Sequence, residues 1–132
     1  MAEERARGID GISRFVGLRW EAHDRTRLTI TSELLNAAGL LQGATTYTMV
    51  DYTMGSALWR ETTEEEAIAT LNLSVNYVQT ATEGDIVCTA EVDRRTRTNA
   101  VLRSEVRHED GRLIATAVGA FVIYARKRYE LE

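Results

Sequence analysis

Asp51 is the residue whose position invites chemistry. Over residues 44–60 the apolar side chains Tyr47, Val50, Met54, Ala57 and Leu58 recur with helical spacing. Asp51 falls on their side, four residues after Tyr47 and three before Met54. An ionised carboxylate among core residues is costly unless it is paired or neutralised. Two readings follow: an Asp at the edge of the stripe that meets an arginine or solvent, or a carboxylate kept for acid–base or nucleophilic work. Just ahead, Gln42-Gly43-Ala44 stands where the helix begins. Backbone N–H groups there have no intrahelical acceptor, the helix dipole adds to their pull, and glycine lets a ligand carbonyl approach. Such a start can hold the negative charge that develops in acyl transfer, with Asp51 two turns further on. Gly43 alone is equally the mark of a helix-entry turn.

Other chemistries find less support. Cys88 is the single cysteine, so no internal disulfide forms. It sits in the alternating run Ile86-Val87-Cys88-Thr89-Ala90, which reads as a buried strand, and neither His23 nor His108 is placed to activate a thiolate. No Gly-x-x-x-x-Gly-Lys run and no His/Cys cluster points to a phosphate loop or a metal. The net charge of -4 argues against a nucleic-acid binder with a broad basic surface. Positive charge does gather late, in Arg94-Arg95-Thr96-Arg97, at Arg103 and Arg107, and in Arg126-Lys127-Arg128; these are solvated surface or a local anion site. The sequence has no apolar run long enough to span a bilayer and none resembling a signal peptide. A reducing, cytoplasmic setting is the expectation.

The elements that must position Asp51 can be read from the periods. With 132 residues the chain is sized for one domain, residues 1–132, of which 1–14 form a charged N-terminal segment. A first strand ends near Thr31 and begins near Val16. Residues 33–43 carry Asn36, Gly39 and Gly43 and read as loop. After the helix come four runs: Leu71, Leu73, Val75 and Tyr77 alternate with polar residues, then residues 86–92, then 102–107, then the nearly all-apolar 113–124, expected to be buried on both faces. Short connections, including the hairpin signal Asp110-Gly111, predict that these four strands are antiparallel neighbours. The class is α+β, with the helix lying across the sheet.

Two stretches carry a family resemblance. Asn36-Ala37-Ala38-Gly39-Leu40-Leu41-Gln42-Gly43-Ala44, followed by Met49-Val50-Asp51-Tyr52-Thr53-Met54-Gly55-Ser56-Ala57, resembles the hotdog-fold thioesterases of the phenylacetyl-CoA and 4-hydroxybenzoyl-CoA type. Their pattern is Asn-x-x-Gly-x-x-His-Gly-Gly with an acidic residue nine positions after the His. The likeness continues through Thr70-Leu71-Asn72-Leu73-Ser74-Val75-Asn76-Tyr77 and Gly111-Arg112-Leu113-Ile114-Ala115, and covers roughly residues 15–124. It implies a five-stranded antiparallel sheet wrapped around one long central helix. It also implies assembly as dimers, often tetramers, with the active site at the dimer interface. Asp51 then matches the general base or nucleophile, and Gly43 the amide that polarises the thioester carbonyl. Asn36 matches the motif Asn near that site, and Thr70 a water-holding Ser/Thr from the partner subunit.

Three departures stand out: Gln42 replaces the family His, Ala44 the second Gly, and Ala37 a common Pro. Gln can donate and accept hydrogen bonds but cannot titrate. The leading expectation is a hydrolase of small or medium acyl- or aryl-CoA thioesters, or of acyl-carrier-protein thioesters, needing no cofactor beyond the CoA of its substrate. Arg94, Arg95 and Arg97 are the candidates for the CoA phosphates. The alternative, favoured by Gln42, is a non-catalytic acyl-thioester-binding protein. A hotdog dehydratase ranks last, because its Asp usually works with a His and none lies in the motif region.

Overall fold

A computed structural model describes residues 9–127. Residues 1–8, most of the N-terminal segment, and Arg128 of the late basic cluster lie outside the described residues. The elements are α1 (Gly11–Phe15), β1 (Arg19–Ala22), β2 (Arg25–Thr29), a 3-10 turn (Ser32–Leu34), α2 (Gly43–Trp59), β3 (Glu66–Tyr77), β4 (Asp85–Arg95), β5 (Asn99–His108) and β6 (Leu113–Ala125). One six-stranded antiparallel sheet, ordered β1-β2-β4-β5-β6-β3, wraps α2.

The helix forms despite four threonines, which have modest helix propensity, because tertiary burial outweighs that cost. Thr45, Thr46, Met49, Val50, Thr53, Met54, Ser56, Ala57 and Leu58 are buried against the sheet. The buried hydroxyl of Thr53 donates to the Met49 carbonyl at 2.6 Å and lies 2.7 Å from the Thr26 hydroxyl, so its polarity is satisfied inside the core. On the sheet side, Leu28, Ile86, Leu102, Val106 and Ile114 complete the core. Gly119 marks the closest approach of helix and sheet: a methyl there would stand 2.7 Å from both Met54 Sδ and Leu73 Cδ2.

Four expectations change. The sheet has six strands, not five, because the first expected strand folds back at His23-Asp24 into the hairpin β1–β2. The last four strands are not all sequential neighbours: β3 pairs with β6, and residues 78–84 carry the chain across to β4. That crossing is tied down by Val78 N–H on the Ile114 carbonyl (2.8 Å) and Leu41 N–H on the Ala81 carbonyl (2.8 Å). β6 is buried on one face only, with Val118 55% exposed on the other. Finally, the buried stripe of α2 is rotated from the one read in sequence. It follows the threonines, which a polar/apolar count scores as surface, and so leaves Tyr47 exposed and Asp51 half-buried at the stripe's edge.

β3 is an edge strand and contains a bulge between Thr70 and Asn72. Ile68 and Thr70 pair with the inward residues Ile123 and Phe121. Past the bulge Leu73 and Val75 pair with the inward Gly119 and Ala117. The extra residue, Leu71, is left 59% exposed, and the phase shift is what turns Thr70 toward the helix.

Candidate active site

Asp51 projects from the middle of α2 toward the start of β3, and the Thr70 hydroxyl donates to its Oδ1 at 2.7 Å. No arginine, lysine or histidine pairs with this carboxylate among the described residues, so the arginine-paired reading is set aside. Both residues line a cavity of about 390 Å³, walled by Tyr52, Gly55, Trp59, Ile68 and Phe121. Burial, with Asp10 nearby, pushes the Tyr52 phenol up to about 12, so its hydroxyl stays neutral at ordinary pH. The family resemblance assigns Thr70 a water-holding role from the partner subunit; within one chain its hydroxyl is bonded to Asp51.

At the helix N-terminus Gln42 is the cap residue, extended at φ -66° and ψ 129°. Its Oε1 accepts from the Gly43 N–H at 3.1 Å, so that amide is engaged by its own neighbour. The Gly43 carbonyl accepts from the Tyr77 hydroxyl at 2.8 Å. A Cβ on Gly43 would lie 3.2 Å from the Tyr77 ring, which gives the glycine a packing reason independent of any ligand. Sequence reasoning read Tyr77 only as a strand residue. The signal was its place at the end of β3 opposite the helix start, visible only once β3 is known to pair with β6. Burial, with Tyr47 adding to it, raises the Tyr77 phenol above its ordinary value and keeps it a hydrogen-bond donor.

Asn36 is placed near this end but is occupied. Its Oδ1 accepts from Ala38 N–H (2.9 Å) and Leu40 N–H (3.2 Å), closing the loop whose Gly39 sits at φ +78°. Together with Gly43 and Tyr77 it lines a second cavity of about 320 Å³. The two halves of the site are therefore distinct: Asp51 and Thr70 in one, Gln42, Gly43 and Asn36 in the other. Eight residues of helix separate Gly43 from Asp51, a rise of about 12 Å.

Arg94, Arg95 and Arg97 lie at the β4–β5 hairpin, and none of them lines either cavity. Arg95 is committed to Glu66 (2.6 Å) and to the Glu61 carbonyl, and Arg103 to Glu91 and Asp93. Arg94 and Arg97 are exposed and have no carboxylate partner among the described residues. Cys88 is buried with its Sγ 3.1 Å from Ser104 Oγ, and burial pushes the thiol up to about 11, so it is no nucleophile. Among the described residues no group of three or more His, Cys, Asp or Glu is placed to hold a metal ion. No described helix is long and apolar enough to cross a membrane.

A curved antiparallel sheet around one long helix, with a carboxylate on that helix facing the edge strand, defines a hotdog protein of the thioesterase kind. Residues 38–115 match the thioesterase superfamily, and the chain belongs to it. Solved structures agree on the fold. A conserved protein from Pseudomonas aeruginosa is 26% identical, with 91% of this chain and 98% of that one covered at a TM-score of 0.78. A thioesterase from the same organism, solved as a mutant, is 18% identical over 89% and 88% of the two chains, with a TM-score of 0.82. A Bacillus halodurans protein solved with CoA is 20% identical over 92% and 84%, with a TM-score of 0.80. No curated protein matches the chain.

Proposed function

We propose that this protein hydrolyses acyl-CoA thioesters, with Asp51 as general base or nucleophile. The observation that carries the reading is a half-buried carboxylate with no cationic partner among the described residues, held by one hydroxyl and open to a cavity. A carboxylate spent on structure is normally paired. As base, Asp51 takes a proton from water as the water oxygen bonds to the thioester carbon. The carbonyl becomes an oxyanion, which then collapses, breaks the C–S bond and releases CoA as the thiol, protonated from Asp51. Thr70 holds one carboxylate oxygen and leaves the other for the water.

Gly43 serves as the oxyanion donor in this scheme. A single thioester carbon cannot meet the amide of Gly43 and the carboxylate of Asp51 in one chain, since they stand about 12 Å apart along the axis. Two copies with antiparallel helices bring residue 43 of one beside residue 51 of the other, centred on Tyr47, which is 42% exposed. The working unit proposed is therefore a homodimer, which can pair further into a tetramer. Arg94 and Arg97, from either copy, are the proposed contacts for the phosphates of CoA, or of an acyl-carrier-protein arm. The motif spacing favours the phenylacetyl-CoA and 4-hydroxybenzoyl-CoA type, and the lone Cys88 thiol suits the cytoplasm.

One observation favours a second reading, a non-catalytic thioester binder: Gln42 stands where the family has His and occupies the Gly43 amide. Free-thiol release from a panel of acyl-CoAs decides. Hydrolysis by the wild type that falls at least ~100-fold in Asp51→Asn, with the fold retained, supports the hydrolase. Binding without thiol release supports the binder, and undiminished activity in Asp51→Asn removes Asp51 from the mechanism.

A further inference from the structure

The cavity beside Asp51 runs along the helix as far as Trp59. Asp51, Gly55 and Trp59 are four residues apart and so lie on one line of α2. Gly55 contributes no side chain, and opposite it stand Ile68 and Phe121 of the sheet. Trp59 closes the line, its ring fixed by the Arg126 guanidinium 5.6 Å from the ring centroid. The Asp51 and Thr70 oxygens meet at the other end. Further along, the Ser56 hydroxyl is taken up by the Trp20 indole N–H at 3.0 Å.

We propose, resting on the hydrolase reading above, that this cavity is the acyl subsite and that Gly55 and Trp59 set its depth. The rise from Asp51 to Trp59 is about 12 Å, and a chain advances about 1.3 Å per bond, so acyl groups of up to about eight carbons fit. The volume of about 390 Å³ agrees. A cavity of roughly 150 Å³ already holds benzene, so a straight chain or a single ring of this length is accommodated while a long fatty chain meets Trp59. A methyl on Gly55 would stand 4.0 Å from Phe121 Cε2, an ordinary contact, but a longer branch enters the cavity.

The test compares butyryl-, octanoyl- and dodecanoyl-CoA by kcat/KM, and by calorimetric Kd on Asp51→Asn. The wild type should prefer octanoyl to butyryl by at least ~10-fold, since each buried methylene adds about fourfold, and should gain nothing further with dodecanoyl. Gly55→Leu should lower the octanoyl-to-butyryl ratio at least ~10-fold, and Trp59→Ala should raise the dodecanoyl-to-octanoyl ratio by a similar factor. Circular dichroism confirms that each variant is folded, and Trp59→Ala stands alone if Gly55→Leu is not. Unchanged ratios overturn the assignment. So does an equal loss for every chain length in Gly55→Leu, which means the cavity holds the part of CoA common to all. Binding with no turnover sinks the hydrolase reading, while the Kd ratios still judge the subsite; no binding at all sinks both.

Discussion

The Thr70 hydroxyl reaches Asp51 Oδ1 at 2.7 Å across the seam between the edge strand and the central helix. It does so because the bulge at Leu71 reverses the phase of β3. A hydrogen bond to a charged group contributes about 1.5–3 kcal/mol. Thr70→Val, which keeps the shape and removes the donor, should therefore lower kcat by ~10- to 100-fold. Thr70→Ser should recover most of it. Steady-state kinetics on the two variants checks this, and equal rates for Val and Ser would show that the hydroxyl has no part in turnover.

Tyr77 holds Gly43 from two sides, through its hydroxyl and through its ring. Tyr77→Phe removes one neutral hydrogen bond and should cost at most about tenfold in kcat. Gly43→Ala places a methyl 3.2 Å from the ring and should cost more, by displacing both the ring and the amide. Thermal unfolding should shift little in Gly43→Ala, because alanine favours the helix by about 1 kcal/mol over glycine. A large drop in Tm alongside the lost activity would mean that Gly43 matters for folding alone.

Much of this arrangement was legible in the residues, and what was hidden has physical causes. The helix over 44–60 announced itself through its period and differs from the observed Gly43–Trp59 by one residue at each end. The Asp110-Gly111 turn is where expected, with Gly111 at φ +96°. The β1–β2 hairpin was hidden because its strands are short, its turn has no glycine, and Arg25 and Arg27 carry ion pairs to Glu21 and Asp85 in place of an apolar pattern. The buried face of the helix includes Thr45, Thr46 and Thr53, which look like surface in a sequence, so Asp51 reads as more central than it is; Thr53 satisfies its hydroxyl on the Met49 carbonyl. Thr70 on the same chain as Asp51 depended on the bulge, which no period-2 count reveals.

Cys88 supplies a pH-dependent prediction. Its thiol is held up at about 11 by burial, against an ordinary value of 9.0. The folded state thus keeps a proton that the unfolded chain releases above pH 9. The stabilisation is fully present below pH 9 and is lost as pH rises through 11. Between pH 8 and 10 urea unfolding should show a loss of about 1 kcal/mol from this group. Cys88→Ala should lack that part of the alkaline decline whatever its baseline stability. Identical pH profiles for the variant and the wild type would mean that the thiol does not titrate differently on unfolding.

Gln42 is where the family pattern and the chemistry must be reconciled. Its Oε1 takes the Gly43 N–H, so a thioester carbonyl can use that amide only after the side chain turns away. The bond is neutral and exposed, and breaking it costs about 0.5–1.5 kcal/mol, which is on the order of tenfold or less in rate. Two effects oppose each other in Gln42→Ala. The amide is freed for substrate, which lowers KM, while the helix loses its cap and the site loses a donor that the rotated carboxamide can offer the oxyanion. If the donor matters, kcat should fall up to about tenfold as KM also falls, and Gln42→Glu, which keeps the acceptor but offers no donor, should behave like Ala in kcat. Gln42→His should leave a working enzyme, since imidazole can also donate there. A wild type that binds acyl-CoA without hydrolysing it, and gains turnover only as Gln42→His, would overturn the hydrolase reading in favour of the thioester binder.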